Sequence, residues 1–282
     1  MSPVSISDLG RERFEALTAY LDRCDRSGRW LVLTHDNPDP DALAAASLLG
    51  KVLRRHFKRP TTLAYGGIIG RAENQEMVRA LGMKLSRVRN LNWKHYRHFA
   101  LVDAQPRTGN HQLPDEITPD VVVDHHPLRR TTQACPFVDV RTDYGATATI
   151  VAEYMLLSGL PISRRTATAV VYAMRSETLD FSRESPGPDR ALHDHFFRLA
   201  DKRLLGKIQR PRLPPSYFAT LGEALARLEG TGSLVISHLG TVAQPDIVPE
   251  IADLLLRMQG RTWSMVTGFH EDRLYCSIRT TN

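Results

Sequence analysis

Short apolar runs alternate with helical segments through residues 1–182, and this alternation constrains the fold more than any other feature of the chain. The runs WLVLTH, TTLAYGG, HFALVDAQ and DVVVDHH are rich in Val, Leu and Ala and have the length of buried strands. Helical spacing occurs in residues 8–27, after Asp39, near RAENQEMVRALG, from Gly145 and over RRTATAVVYAMRSET. Strands that alternate with helices predict an α/β domain with a mostly parallel sheet and helices on both faces.

Carboxylate and imidazole side chains share one kind of position, the carboxyl end of a predicted strand. These side chains belong to His35, Asp39, Asp41, Asp103, Asp124, His125 and His126. Since ligands bind where the carboxyl ends of parallel strands meet, we expect all of them to converge. Crowded carboxylates repel each other and take up protons unless a cation compensates their charge. The sequence therefore predicts a metal site, whose oxygen and imidazole ligands suit Mn²⁺ or Mg²⁺ better than a sulfur-rich zinc site.

The predicted ligands outnumber what one ion requires, which favours a pair of ions roughly 3.5–4 Å apart. Such a pair can hold a phosphate, lower the pKa of a bridging water and stabilise the leaving oxygen. The reaction class that follows is hydrolysis of a phosphate ester or anhydride, without a serine or cysteine nucleophile. The 3 cysteines are far apart and give neither a disulfide framework nor a zinc-thiolate site.

Four ordered motifs resemble those of the DHH phosphoesterase superfamily. They are THDNPDPDAL, LVDAQP, VVVDHHP and the GATATIV helix start, and with GGIIGRAEN they extend over residues 30–182. The resemblance implies a set of metal ligands, with Asp103 bridging both ions: His35, Asp39, Asp41, Asp103 and His125. It also implies that Asp124 orients the histidines and that His126 faces the substrate phosphate. Asp103, Asp124 and His126 are accordingly the predicted catalytic residues.

One position departs from the pattern of that family. The last ligand is usually Asp in a short S/T-D-T stretch, whereas this chain has Arg175-Ser176-Glu177-Thr178. Glu177 could reach a metal through its longer side chain, and Asp180 is a nearby alternative. The competing interpretation is a surface glutamate at a helix end, which would imply reduced metal occupancy or activity.

Three arginines are candidate phosphate contacts, because a guanidinium offers a bidentate fork to phosphate oxygens. Arg129 follows the DHH triplet, Arg71 lies in a loop at the same expected edge of the sheet, and Arg279 lies in a C-terminal strand. For each arginine a solvated surface position is the competing interpretation.

The composition changes after residue 182. SRESPGPDR and QRPRLPPSY are rich in proline, glycine and charged residues, and they flank a helical stretch. We predict a catalytic domain over residues 1–182, a helical connector over 183–218 and a smaller α/β domain over 219–282. RLYCSIRTTN resembles the start of the DHH-associated domain of the oligoribonuclease and RecJ-type branch. That domain continues to a glycine-rich motif in those relatives. We therefore expect either a shortened chain or substrate recognition without that part.

The net charge of +6 and a pI near 9.4 favour polyanionic partners. The predicted partner is a short single-stranded oligonucleotide or nucleotide substrate, and a homodimer is compatible with the sequence. Since every apolar run falls short of the roughly 18–20 residues that cross a bilayer, we expect no membrane partner. The charged N-terminus lacks a signal-peptide core, which predicts a cytoplasmic protein.

The leading prediction is a phosphoesterase with two divalent ions, most suitably Mn²⁺ with Mg²⁺ as the alternative. It would hydrolyse phosphodiester or phosphomonoester bonds of short oligonucleotides or nucleotides, as an exonuclease or oligoribonuclease does. Two alternatives stay open. One is an inorganic pyrophosphatase or polyphosphatase, against which the C-terminal sequence speaks, and the other is a catalytically weakened nucleotide-binding protein. Few aromatics (7%) and the lack of a recognised binding motif disfavour a simple nucleic-acid-binding protein.

Overall fold

The computed structural model describes residues 6–182 and 187–281, which form two compact units. The first unit takes in the residues up to Ile69 and Glu76–Gln209. The second takes in Gly70–Gln75 and the residues from Arg210 onward. Within the described ranges, no helix combines the length and the apolar character that a membrane crossing requires.

The first unit is built on a six-stranded sheet in which every pair of neighbouring strands is parallel. The strands are β1 (Trp30–Leu33), β2 (Thr61–Tyr65), β3 (Ser86–Arg87), β4 (His98–Val102), β5 (Val121–Asp124) and β6 (Phe137–Val140). Their spatial order is β3-β2-β1-β4-β5-β6, so the chain reverses direction across the sheet between β1 and β4. Ligands of open parallel sheets bind beyond the carboxyl ends of the strands at such a reversal. The predicted α/β fold with a parallel sheet is confirmed.

Helices cover both faces of this sheet, but they differ in kind. The α-helices are α1 (Asp8–Arg23), α2 (Pro40–Lys51), α3 (Ala72–Leu81), α4 (Thr147–Leu157), α5 (Arg164–Glu177), α6 (Gly187–Leu199) and α7 (Lys202–Gln209), and the first turn of α3 belongs to the second unit. Trp30 and Val32 point into the core cluster that the α-helices supply, whereas Leu31 and Leu33 point into the opposite cluster. Short 3₁₀ turns contribute to that opposite cluster, among them Val88–Asn90. The alternation of side chains along β1 therefore buries the strand on both faces.

The start of α2 follows the sequence prediction closely. Asp39 is its N-cap and accepts a hydrogen bond from the backbone N–H of Ala42 at 3.0 Å, and Pro40 occupies the first helical position. Beyond Lys51 the helix continues as a π-helical turn, Val52–His56. The short strands β3 and β6 were not predicted.

The second unit has its own sheet and its own small core. Its elements are α8 (Pro215–Ala226), β7 (Glu229–Thr231), β8 (Leu234–Thr241), α9 (Ile247–Leu255), β9 (Trp263–His270) and β10 (Arg273–Thr280). The strand order is β10-β9-β8-β7, with β8 and β9 parallel and the outer pairs antiparallel. Val235, Ile251 and Val266 are buried in the core between this sheet and α9. The predicted domain boundaries stay a prediction, and we note that α6 and α7 belong to the first unit.

Candidate metal centre

Two groups of potential ligand atoms lie at the carboxyl ends of β1, β4 and β5. His35, Asp39 and Asp103 form one group, and Asp103, His125 and His126 form the other. Within each group, one ligand atom per residue lies within 4.8 Å of the others. Ligands on opposite sides of a cation are about 4.2 Å apart when each lies about 2.1 Å from it. The spacing is therefore comparable to a coordination sphere, and Asp103 is shared between the two groups.

His35 presents one ring nitrogen to the carboxylates because the other is occupied. Its Nδ1–H donates to the backbone carbonyl of Asp36 at 2.8 Å, while Nε2 lies 3.5 Å from Asp103 and 3.9 Å from Asp39. Burial acts to lower the pKa of His35, but Asp103 and Asp39 outweigh it and raise that pKa to about 11. The carboxylates thus hold a compensating positive charge in place, which is the role that a cation would take over.

His125 has a buried nitrogen without a hydrogen-bond partner in the described part of the chain. Its Nδ1–H donates to the backbone carbonyl of Tyr144 at 3.2 Å, which fixes the ring. Its Nε2 lies 3.8 Å from Asp103 and 3.9 Å from Asp41, and it makes no hydrogen bond to any described residue. A buried polar atom without a partner is costly, so this nitrogen indicates a ligand that the protein chain does not supply.

Asp103 follows β4 in a backbone conformation that most residues avoid. Its φ is +56°, and its side chain is buried. Oδ1 accepts a hydrogen bond from the hydroxyl of Thr147 at 2.8 Å. Asp tolerates the left-handed region better than most residues, and strained backbone of this kind is frequent at functional sites.

Asp41 is held by the start of α4. Its two carboxylate oxygens accept the backbone N–H groups of Thr147 and Ala148, both at 2.7 Å. A helix N-terminus stabilises an anion in this position. Burial raises the pKa of Asp41, and the charges of Asp103 and Asp39 add to that rise. Asp41 lies beside His125 but belongs to neither ligand group, and its predicted role as a ligand stays a prediction.

Asp124 is buried beneath the second group and positions His126. Its Oδ1 accepts Nδ1–H of His126 and the backbone N–H of His125, both at 2.9 Å. The hydrogen bond to Asp124 raises the pKa of His126 to about 9. Burial would raise the pKa of Asp124, but hydrogen bonds from His126 and from Gln105 outweigh it and lower that pKa. The ring of His126 is 55% exposed, so it lies where a substrate could reach it.

Gln105 was not identified from the sequence, although it lies within the quoted LVDAQP motif. Its Nε2 donates to Asp124 at 2.6 Å, and its Oε1 accepts the backbone N–H of Arg129 and the hydroxyl of Thr132, both at 2.7 Å. One amide therefore ties the end of β5 to the loop that follows it. The only sequence signal was a polar residue two positions after a predicted ligand.

Asp189 was also missed, because it lies in the stretch that we predicted as a connector. It is fully buried, and it accepts the backbone N–H of Gly145 at 2.9 Å and the hydroxyl of Thr149. Burial raises the pKa of Asp189. A Cβ added to Gly145 would lie 2.8 Å from the methyl group of Thr178, so the close packing requires glycine. Asp189 thus fixes the turn from which Thr147 reaches the centre.

Glu177 lies at the end of α5, partly buried and outside both ligand groups. Its charge contributes, after the causes given above, to the raised pKa values of Asp41 and His126. The negative charge of Glu177 is therefore close enough to interact with Asp41 and His126. The alternative ligand Asp180 is exposed and paired with Arg175.

The three predicted phosphate-binding arginines lie in two places. Arg129 is exposed on the loop that follows β5 in the first unit. Arg71 and Arg279 belong to the second unit and bind opposite oxygens of Asp253, at 3.1 and 2.6 Å. Their predicted role in substrate binding stays a prediction.

Comparison with known proteins extends these observations. A sequence profile described as the DHH family, N-terminal domain, matches residues 29–174, which are about half of the chain. An uncharacterised protein from Methanocaldococcus jannaschii is 34% identical over 252 residues, which are 89% of this chain and 52% of that protein. The chain thus spans about half the length of this curated relative. The crystal structure of an exopolyphosphatase-related protein from Bacteroides fragilis aligns with 98% of this chain and 86% of its own, with a TM-score of 0.76 and 12% identity. That last likeness is one of fold.

Proposed function

We propose, from the premise that this chain belongs to the DHH family, that it hydrolyses phosphate esters of short oligonucleotides or small nucleotides with two divalent cations. Membership of the family supports a hydrolase that acts on phosphate esters. The observation that carries the finer proposal is the position of Asp103 in two separate groups of ligand atoms. A carboxylate shared in this way suits two cations held close together.

The residues of the centre fit divalent cations. His125 offers a buried Nε2 that no described residue binds by a hydrogen bond, and His35 presents its Nε2 to two carboxylates. The donor set of imidazole and carboxylate suits Mn²⁺ better than Ca²⁺ and is also compatible with Mg²⁺. Bound cations would supply polarisation of the phosphate and a lowered pKa for an attacking water.

The chain's own residues orient the ligand side chains and provide an imidazole that can donate a proton. The backbone carbonyls of Asp36 and Tyr144 fix His35 and His125, and Thr147 fixes Asp103. The hydrogen bond from the exposed His126 to Asp124, 2.9 Å long, raises the pKa of His126 to about 9. A protonated imidazole at this place can bind a phosphate oxygen or donate a proton to the leaving oxygen.

Inorganic polyphosphate is the rival substrate. The Bacteroides fragilis protein is described as exopolyphosphatase-related, and it aligns with nearly the whole of this chain. The net charge of +6 suits either kind of polyanion. A direct comparison of substrates is therefore part of the test.

The experiment measures the release of phosphate or nucleotide by the full chain with Mn²⁺. The substrates are a dinucleotide, a nucleoside monophosphate, inorganic diphosphate and inorganic polyphosphate. We expect release from the dinucleotide or the monophosphate, and we expect it to vanish with chelator or in Asp103→Ala. Asp115→Ala serves as the matched control, since Asp115 is an exposed carboxylate outside both ligand groups. Turnover that survives both chelator and Asp103→Ala would refute the proposal, and turnover of polyphosphate alone would replace the proposed substrate.

A further inference from the structure

A cavity of about 630 Å³ lies in the first unit, on the side of the sheet away from the metal centre. It is lined by the end of α2, by the first residues of β2 and β3, and by the start of α5. The amino ends of the strands therefore border this cavity, whereas the carboxyl ends carry the metal centre. A cavity of this volume lies within the range of about 300–1,000 Å³ that holds small ligands.

Positive charge dominates the lining. The cationic side chains are Lys51, Arg54, Arg55, Lys84 and Arg165. None of the lining residues, all of which are described, is Asp or Glu, and within the described residues none of these cations has an ion-pair partner. Like charges gathered without a counter-charge destabilise the fold, so their presence indicates an anionic ligand.

Among the residues that the structure describes, the two innermost cations bind neutral acceptors only. Nζ of Lys51 donates to the hydroxyl of Thr166 at 2.6 Å, and Arg54 donates to the backbone carbonyl of Thr61 at 3.2 Å. Burial and the neighbouring Arg54 lower the pKa of Lys51. Both side chains are partly buried, and neither has an anionic partner among the described residues.

The backbone around the cavity is unusual in two places. The π-helical turn Val52–His56 carries Arg54 and Arg55. Such turns are rare in proteins, and those that occur often lie at functional sites. Arg164 and Arg165 occupy the first turn of α5, where the positive end of the helix dipole disfavours cations. An anion bound in the cavity would offset the unfavourable interaction of Arg165 with the helix dipole.

The remaining wall is apolar. Leu63, Leu81, Met83 and Leu85 contribute to it, with hydroxyl groups such as that of Ser47 between the apolar and the cationic parts. A ligand with several negative charges at one end satisfies the cations, and a flat organic group fits the apolar wall.

We propose that this cavity is a second site, separate from the metal centre, which binds a small anion with a diphosphate or triphosphate group. The anion is either a nucleoside diphosphate, with its base against the apolar wall, or an inorganic diphosphate or triphosphate. The site needs no divalent cation, since the lining cations provide the counter-charge.

The test is calorimetric titration of the full chain with ADP, and separately with inorganic triphosphate, in the presence of chelator. The chelator removes any binding that depends on metal ions. The double variant Lys84→Gln/Arg165→Gln removes two exposed lining cations, whereas Arg89→Gln/Lys94→Gln removes the same charge from exposed residues outside the cavity. We expect roughly tenfold weaker binding in the first variant and wild-type affinity in the second.

Asp103→Ala provides the control for the metal centre, and it should bind both anions as the wild type does. Tighter binding of ADP identifies a nucleotide ligand, and equal or tighter binding of triphosphate identifies an inorganic one. The proposal is overturned if neither anion binds at millimolar concentration, if both double variants lose affinity equally, or if Asp103→Ala abolishes binding.

Discussion

Replacement of Gln105 by leucine tests how the metal centre is supported. Leucine has a similar size but makes none of the hydrogen bonds to Asp124, Thr132 and the backbone of Arg129. Asp124 and Thr132 are buried, so water cannot fully replace the lost partner. Gln105 also donates to the backbone carbonyl of Pro127 at 3.1 Å, so with about 1 kcal/mol for each of these four bonds we expect a loss of about 4 kcal/mol in the free energy of unfolding. Gln105 holds Asp124, which in turn holds His126, and loss of such a supporting hydrogen-bond partner typically costs about 10–100-fold in activity.

Two assays measure these effects on the same protein: urea unfolding followed by far-ultraviolet circular dichroism, and Mn²⁺-dependent hydrolysis of the best dinucleotide substrate. Gln112→Leu is the matched control, because Gln112 is exposed and makes one long hydrogen bond, 3.5 Å, to Asp36. The control should behave as the wild type. Gln105→Leu with unchanged unfolding and with hydrolysis within twofold of the wild-type rate would show that Asp124 and its loop do not depend on this amide.

Three further perturbations give separate expectations. Arg141→Met removes the guanidinium that compensates the buried carboxylates of Asp139 and Glu153, so urea unfolding should show a loss of about 3–5 kcal/mol. A loss below about 1 kcal/mol would contradict this expectation. Burial, with nearby carboxylates, raises the pKa of Glu250 from 4.5 to about 7. The folded protein therefore loses stability as the pH rises from about 4.5 to 7, because Glu250 must ionise in a partly buried position. Glu250→Gln should raise the melting temperature at pH 8 and not at pH 4. An equal shift at both pH values would show another cause. Glu177→Gln removes a negative charge near the cluster and should weaken Mn²⁺ binding about tenfold, as measured by calorimetry; unchanged affinity would assign Glu177 to the surface.

The strands and helices that the sequence predicted are those with a clear period or a clear cap. The buried run of β1 and the Asp39-Pro40 start of α2 are examples. The strand β6 was missed because its sequence, FVDV, carries a charge in its middle. Asp139 is tolerated there because Arg141 binds it with two hydrogen bonds and the hydroxyl of Tyr154 donates to it as well, contacts that need the folded backbone. The strand β3 has two residues and leaves no pattern.

The candidate site was predictable as far as it depends on the direction of strands. His35, Asp103 and His125 follow three strands and lie close together. Gln105 and Asp189 could not be predicted, since they act through hydrogen bonds to backbone and hydroxyl groups of distant residues. No sequence pattern reports which carboxylate a given N–H group will meet.

Arg71 and Arg279 illustrate the same limit. Each arginine stays a predicted phosphate contact, but the sequence did not indicate that both guanidinium groups bind Asp253. The two arginines are 208 positions apart in the sequence, so no local pattern indicates that both bind the same carboxylate.

The most direct measurement is the stoichiometry of Mn²⁺ bound to the metal-free full chain, by calorimetry and by elemental analysis after dialysis. Two ions per chain are expected for the wild type, because two ligand groups share Asp103. Asp103→Ala should lose both ions, whereas Asp115→Ala should keep them. A wild-type chain that binds no Mn²⁺, or an Asp103→Ala chain that binds as many ions as the wild type, would contradict the account.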